Sequence, residues 1–97
     1  MDEALGKIME WVRQTESKPC LFMTWTMEGD EASQKEMSDR YRYLADKYGC
    51  LLAAVGDRWW EQIHKYPEID LFADDRRHAS DAGSMLIAKT IFESLDL

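Results

Sequence analysis

Cys20-Leu21-Phe22-Met23-Thr24-Trp25-Thr26 is an unbroken run of apolar, aromatic and threonine residues, and the fold turns on how it is read. Strands with one wet face alternate apolar and polar residues, whereas a run without alternation suits a strand covered on both faces, as in a parallel sheet. Cys50-Leu51-Leu52-Ala53-Ala54-Val55 repeats that composition. Between the two runs, Glu28-Gly29-Asp30 predicts a turn, and Ser33-Gln34-Lys35-Glu36 has the order of a capping box. The helix that follows places Met37, Tyr41, Leu44, Ala45 and Tyr48 on one face, and Gly49 supplies its stop. Strand, helix and strand in this order form a parallel crossover unit.

Upstream of this unit, Asp2 reads as the N-cap of a helix over residues 3 to about 16. Leu5, Ile8, Met9 and Val12 fall at helical spacing, and Ser17-Lys18-Pro19 ends the element. Downstream, Gly56-Asp57 reads as a tight turn and N-cap for a short helix over residues 58–66, closed by Pro67. Residues 68–79 lack periodicity and read as a loop with a short extended piece at Leu71-Phe72. Ser80 caps a final helix whose broad apolar face holds Ala82, Met85, Leu86, Ala88, Phe92 and Leu95, widened by Ile87 and Ile91. The alternation predicts one three-layer α/β unit over residues 1–97 with a short parallel sheet. Two strands with open edges are few for such a sheet, so completion by another segment, another chain or a second copy is expected.

Composition narrows the function. Hydrophobic residues make up 45% and charged residues 32% of the 97, a globular balance. A formal charge of -7 argues against a nucleic-acid groove or an anionic membrane surface, both of which need net Lys and Arg. No run approaches the roughly 20 apolar residues of a membrane span, and no basic stretch followed by an apolar core opens the chain, so a cytoplasmic location is the expectation. Cys20 and Cys50 lack CxxC spacing and read as buried free thiols. Neither a metal nor a cofactor is expected.

The chemistry concentrates in Asp74-Asp75-Arg76-Arg77-His78-Ala79-Ser80. An Asp and a His three residues apart, in a loop before a capped helix, can bring a carboxylate onto an imidazole, fixing its tautomer and stabilising the imidazolium. Other residues have plainer readings. His64 suits a surface position, Ser84 a helical serine bonded to its own backbone, and Trp25, Trp59 and Trp60 either a pocket wall or core anchors.

The segment 19–95 resembles the C-terminal half of the SGNH (GDSL-type) hydrolases, serine esterases on a flavodoxin-like α/β fold. The resemblance is carried by the strand Leu21-Phe22-Met23-Thr24-Trp25, the Val55-Gly56-Asp57 turn before Trp59-Trp60, and Asp75-Arg76-Arg77-His78 with Ser80, Gly83 and Ala88. It implies a partial three-layer flavodoxin-like fold, with His78 as general base and Asp75 as its orienting partner. It also implies an ester substrate of carbohydrate or lipid type.

The family's nucleophile is a serine after a Gly-Asp pair, but the pairs here continue as Gly29-Asp30-Glu31 and Gly56-Asp57-Arg58. The oxyanion site uses an Asn, and this chain has none. Ala79 stands where Pro commonly follows the His, and Arg76-Arg77 occupies positions where small residues are frequent. Two readings therefore stand: the base-carrying portion of a hydrolase, inactive alone and completed elsewhere, or a non-catalytic α/β module that homo-oligomerises through its sheet edge or apolar helix faces.

Overall fold

The computed structural model describes residues 2–14 and 19–95. Helix α1 (Asp2–Arg13) leads to strand β1 (Cys20–Phe22), a 3-10 turn (Glu31–Ser33), α2 (Gln34–Tyr48), strand β2 (Leu51–Ala53), α3 (Val55–Lys65) and α4 (Asp81–Ser94). The strands pair in parallel, with Cys20 opposite Leu51, Leu21 opposite Leu52 and Phe22 opposite Ala53. The fold is mixed α/β, and two strands are all the sheet has among the described residues.

Both strands are shorter than their apolar runs, for one shared reason. β2 ends at Ala53 and not at Val55 as expected, because Val55 opens α3, so the pairing of the first strand runs out at Met23, whose N–H donates to the Ala53 carbonyl at 2.9 Å and whose carbonyl accepts from the Gly56 N–H at 3.1 Å. The backbone that follows is satisfied by a side chain instead. Gln34, buried on the first turn of α2, accepts from the Thr26 N–H at 2.9 Å and from Trp60 Nε1 at 3.2 Å. Its own amide donates to the Thr24 carbonyl at 3.2 Å and to Ser38 Oγ at 3.0 Å. A buried amide with its donors and acceptor all engaged fixes the path of the chain after β1.

The helix starts are corrected as well. α3 begins at Val55, not residue 58, and Asp57 is no cap: its carboxylate accepts from Ser38 Oγ at 2.6 Å and pairs with Arg42, tying α3 to α2. Gly56 is a close-approach glycine and not a turn glycine, since a Cβ there would lie 2.1 Å from the Thr24 carbonyl oxygen and 2.3 Å from Gln34 Nε2. The capping box at Ser33 does not form; Ser33 Oγ donates to Asp30 Oδ1 at 2.8 Å, and the 3-10 turn leads into α2. Asp2 is helical, and its carboxylate takes up Tyr48 Oη and Lys47, docking α1 on α2. Glu16, Ser17 and Lys18 lie outside the described residues.

Two expected signals hold. Gly49 sits at φ 65° and bonds back to Ala45 and Asp46, and Ser80 Oγ accepts from the Gly83 N–H at 3.2 Å.

Ala53, Val55, Trp59, Trp60, Leu71 and Phe72 form the core between the sheet, α3, α4 and the loop joining those helices. α4 packs through Ala82, Gly83, Leu86, Ile87 and Ile91, narrower than its apolar face suggests. Met85, Ala88, Phe92 and Leu95 form a second stripe turned to solvent, Met85 being 72% and Phe92 60% exposed. Ile8 and Trp11 on α1 are likewise exposed. Cys20 and Cys50 are free but only half-buried; burial pushes the Cys50 thiol up, with Cys20 nearby adding to the shift. No helix among the described residues is long and apolar enough to cross a membrane.

Candidate active site

The loop from α3 to α4 is built as a small closed hairpin. Leu71 and Phe72 are buried, and Phe72 pairs with Ala79 as a single antiparallel bridge at the extended piece expected from the sequence. The Ala73 N–H donates to the His78 carbonyl at 2.7 Å and the Ser80 N–H to the Leu71 carbonyl at 2.8 Å. Ser80 Oγ also donates to the Asp70 carbonyl at 2.7 Å, so one hydroxyl closes the hairpin and caps α4. Gly83 lets α4 approach, as a Cβ would stand 2.4 Å from the Leu71 oxygen and 2.7 Å from the Trp59 ring.

Within this frame the structure brings Asp75 and His78 together. Asp75 Oδ1 accepts from the backbone N–H groups of Arg77 and His78, each at 2.9 Å, while Oδ2 faces His78 Nδ1 in a hydrogen bond. The imidazole first, then the two backbone donors, hold the Asp75 carboxyl far below the usual carboxylate range. With Nδ1–H donated to the carboxylate, the lone pair of the neutral ring lies on Nε2. That atom has no partner among the described residues, and the His78 side chain is 82% exposed.

A second wall comes from the segment after β1. Trp25 stacks on Trp59 at 4.1 Å between centroids with ring planes 4° apart, and its Nε1–H donates to the Arg77 carbonyl at 2.8 Å. The Glu28 N–H donates to the Arg76 carbonyl at 3.2 Å. Trp25, Thr26, Met27, Asp30, Met37 and Arg77 line an open recess of about 460 Å³ beside the dyad loop. Trp59 and Trp60 are therefore core residues, while Trp25 is both anchor and pocket wall.

The other candidates lie apart. His64 Nε2 pairs with Glu31 Oε2 at 2.6 Å, fastening α3 to the 3-10 turn. Ser84 is exposed in α4 and makes no hydrogen bond with His78. Among the described residues, no group of three His, Cys, Asp or Glu is placed to hold a metal ion. Gln34 and Arg76 shape the site from outside, and the sequence does not show it because each depends on a partner distant in the chain, Trp60 for Gln34 and Glu28 for Arg76.

The depressed carboxyls set an acid limit. Asp75, Asp70 and Asp2 all titrate below their ordinary values, so near pH 4 the unfolded chain binds more protons than the folded one. Their stabilisation is complete above that pH and is lost progressively as pH falls below it. The protection of the Arg77 and His78 amides, corrected for their intrinsic exchange rates, should fall on acidification beyond any global loss of helix; protection unchanged to about pH 2 would contradict this.

No known protein family, curated protein or solved structure matches the chain.

Proposed function

We propose that this chain is the C-terminal, base-carrying portion of an SGNH-type serine ester hydrolase on a flavodoxin-like fold, its nucleophile and oxyanion Asn coming from another segment or chain. The observation that carries the reading is the Asp75–His78 pair, with Nδ1 facing a carboxylate and the imidazole open to solvent, in a loop whose Arg77 lines a recess. In the assembled enzyme, His78 Nε2 takes the proton of the serine hydroxyl as its oxygen bonds to the ester carbonyl carbon. The imidazolium, steadied by Asp75, then gives that proton to the departing alcohol; water repeats the sequence to release the acid. The solvent-facing stripe of Met85, Ala88 and Phe92 and the open sheet edges supply surface for the completing segment. The substrate class is an ester of carbohydrate or lipid type.

The test is fluorophosphonate labelling of the native complex recovered through this chain. One serine in the associated segment is expected to react, and His78→Ala should slow its labelling by about 100-fold or more. Labelling at an unchanged rate in His78→Ala removes the base role. The same apolar surfaces suit a non-catalytic module that homo-oligomerises, and self-association with no reactive serine in the complex selects that reading.

A further inference from the structure

We propose that Arg76 is the positioning residue of the Asp75–His78 pair, its guanidinium clamping the dyad loop to two other segments of the chain. Arg76 is the one non-glycine residue with positive φ among those described, at φ 60°. Left-handed backbone is unfavourable for an ordinary residue and persists where the surroundings impose it. Here they do so from several directions. The Arg76 N–H donates to the Ala73 carbonyl at 2.9 Å, and its own carbonyl accepts from Glu28. Nη1 and Nη2 grip the Asp70 carboxylate side by side at 2.7 and 3.0 Å. Nε donates to Glu28 Oε2 at 3.1 Å, joined by Nη2, and the guanidinium lies 5.5 Å from the Phe72 ring centroid.

The geometry ties this clamp to the dyad. Arg76 sits between the acid and the next two N–H groups, and its left-handed turn sends the N–H groups of Arg77 and His78 back onto Asp75 Oδ1. Oδ2 is thereby left facing the imidazole. Asp70 precedes the hairpin and Glu28 belongs to the segment after β1, so Arg76 also registers the dyad loop against the Trp25 wall. A planar fork does this where a lysine could not, because both carboxylates are met along fixed N–H directions. The role rests on reading His78 as the base.

The experiment uses the full 97-residue chain and reads the His78 ring by nitrogen NMR and the Asp75 carboxyl by carbon NMR across pH. Wild type is expected to show the Nδ1–H tautomer, lost in Asp75→Asn. Arg76→Ala should mix the tautomers and move the Asp75 midpoint upward by about one pH unit or more, and Arg76→Lys should restore little of either. Arg76→Gly permits the turn without imposing it and covers the case in which the alanine variant fails to fold; with the clamp gone, the same changes are expected in it. A folded Arg76→Ala or Arg76→Gly with both wild-type signatures overturns the proposal. A wild-type ring indistinguishable from Asp75→Asn overturns the base reading itself, and Arg76 positioning with it.

Discussion

Trp59→Ala is expected to lower the stability of the chain by about 3–5 kcal/mol, the range for emptying a large aromatic site in a core. Trp59 is fully buried, stacked face to face on Trp25 and met by the edge of Phe72 at 5.4 Å and 75°. The cavity cannot collapse easily, since Gly83 offers no side chain to fill it and α4 is pinned to α3 by Arg58 and Glu93 at 2.9 Å. Against a typical domain stability of about 5–15 kcal/mol, this is a large fraction. The damage should reach the site, because Trp25 loses the ring that presents its Nε1–H to the Arg77 carbonyl. Trp59→Phe is expected to be much milder. The Trp59 indole N–H is buried without a partner among the described residues, so its removal also relieves an unsatisfied donor. Urea unfolding followed by far-ultraviolet circular dichroism measures both. A Trp59→Ala midpoint implying under about 1 kcal/mol would show that the Trp25–Trp59–Phe72 cluster does not hold the core together.

What could be read from the sequence was the local chemistry. Ser80 needs only the Gly83 N–H three residues on, Gly49 only the last turn of α2, and Asp75 only the next three residues. Each signal and its partner occupy one short window. The misreadings mostly involve partners farther along the chain, the exception being Ser33, whose hydroxyl turns back to Asp30 instead of capping α2. The apolar run through Thr26 is correctly placed against other segments, yet its final residues leave the sheet because Gln34 and not a strand receives them. Gln34 and Ser38 lie on the same face as Met37 and Tyr41, and polarity alone hid their burial. Asp57 had the residue type and position of a cap, but Ser38 and Arg42 compete for it from α2. Arg76 looked like bulk and charge in a loop that favours small residues. Its meaning depends on Glu28 and Asp70, which no spacing rule connects to it. The final helix shows the same limit, since its apolar residues divide into a packed stripe and an exposed one, and only the neighbours decide which is which.

On the proposed reading of the Asp75–His78 pair, the second large effect is that of Asp75→Asn in the completed hydrolase. The substitution is nearly isosteric, and the amide oxygen can still accept the N–H groups of Arg77 and His78, so the hairpin should persist. The amide nitrogen would then face His78 Nδ1 as a donor, forcing that nitrogen to accept. The ring proton moves to Nε2, the atom that on the proposed reading receives the serine proton. Both functions of the carboxylate fail together: the base tautomer is depleted, and the imidazolium loses its counter-charge. Amidating a buried triad Asp lowers kcat by about 10⁴-fold. Exposure of Asp75 here sets the expectation toward the lower side, about 10²-fold, unless the completing segment covers the loop. KM should change little, because neither group binds the ground-state ester. Steady-state hydrolysis of a p-nitrophenyl ester separates these terms. A variant retaining kcat within a few-fold would mean that the pair only shapes the loop. A loss near 10⁴ would mean that the partner segment buries Asp75 and His78, placing the interface over the dyad itself.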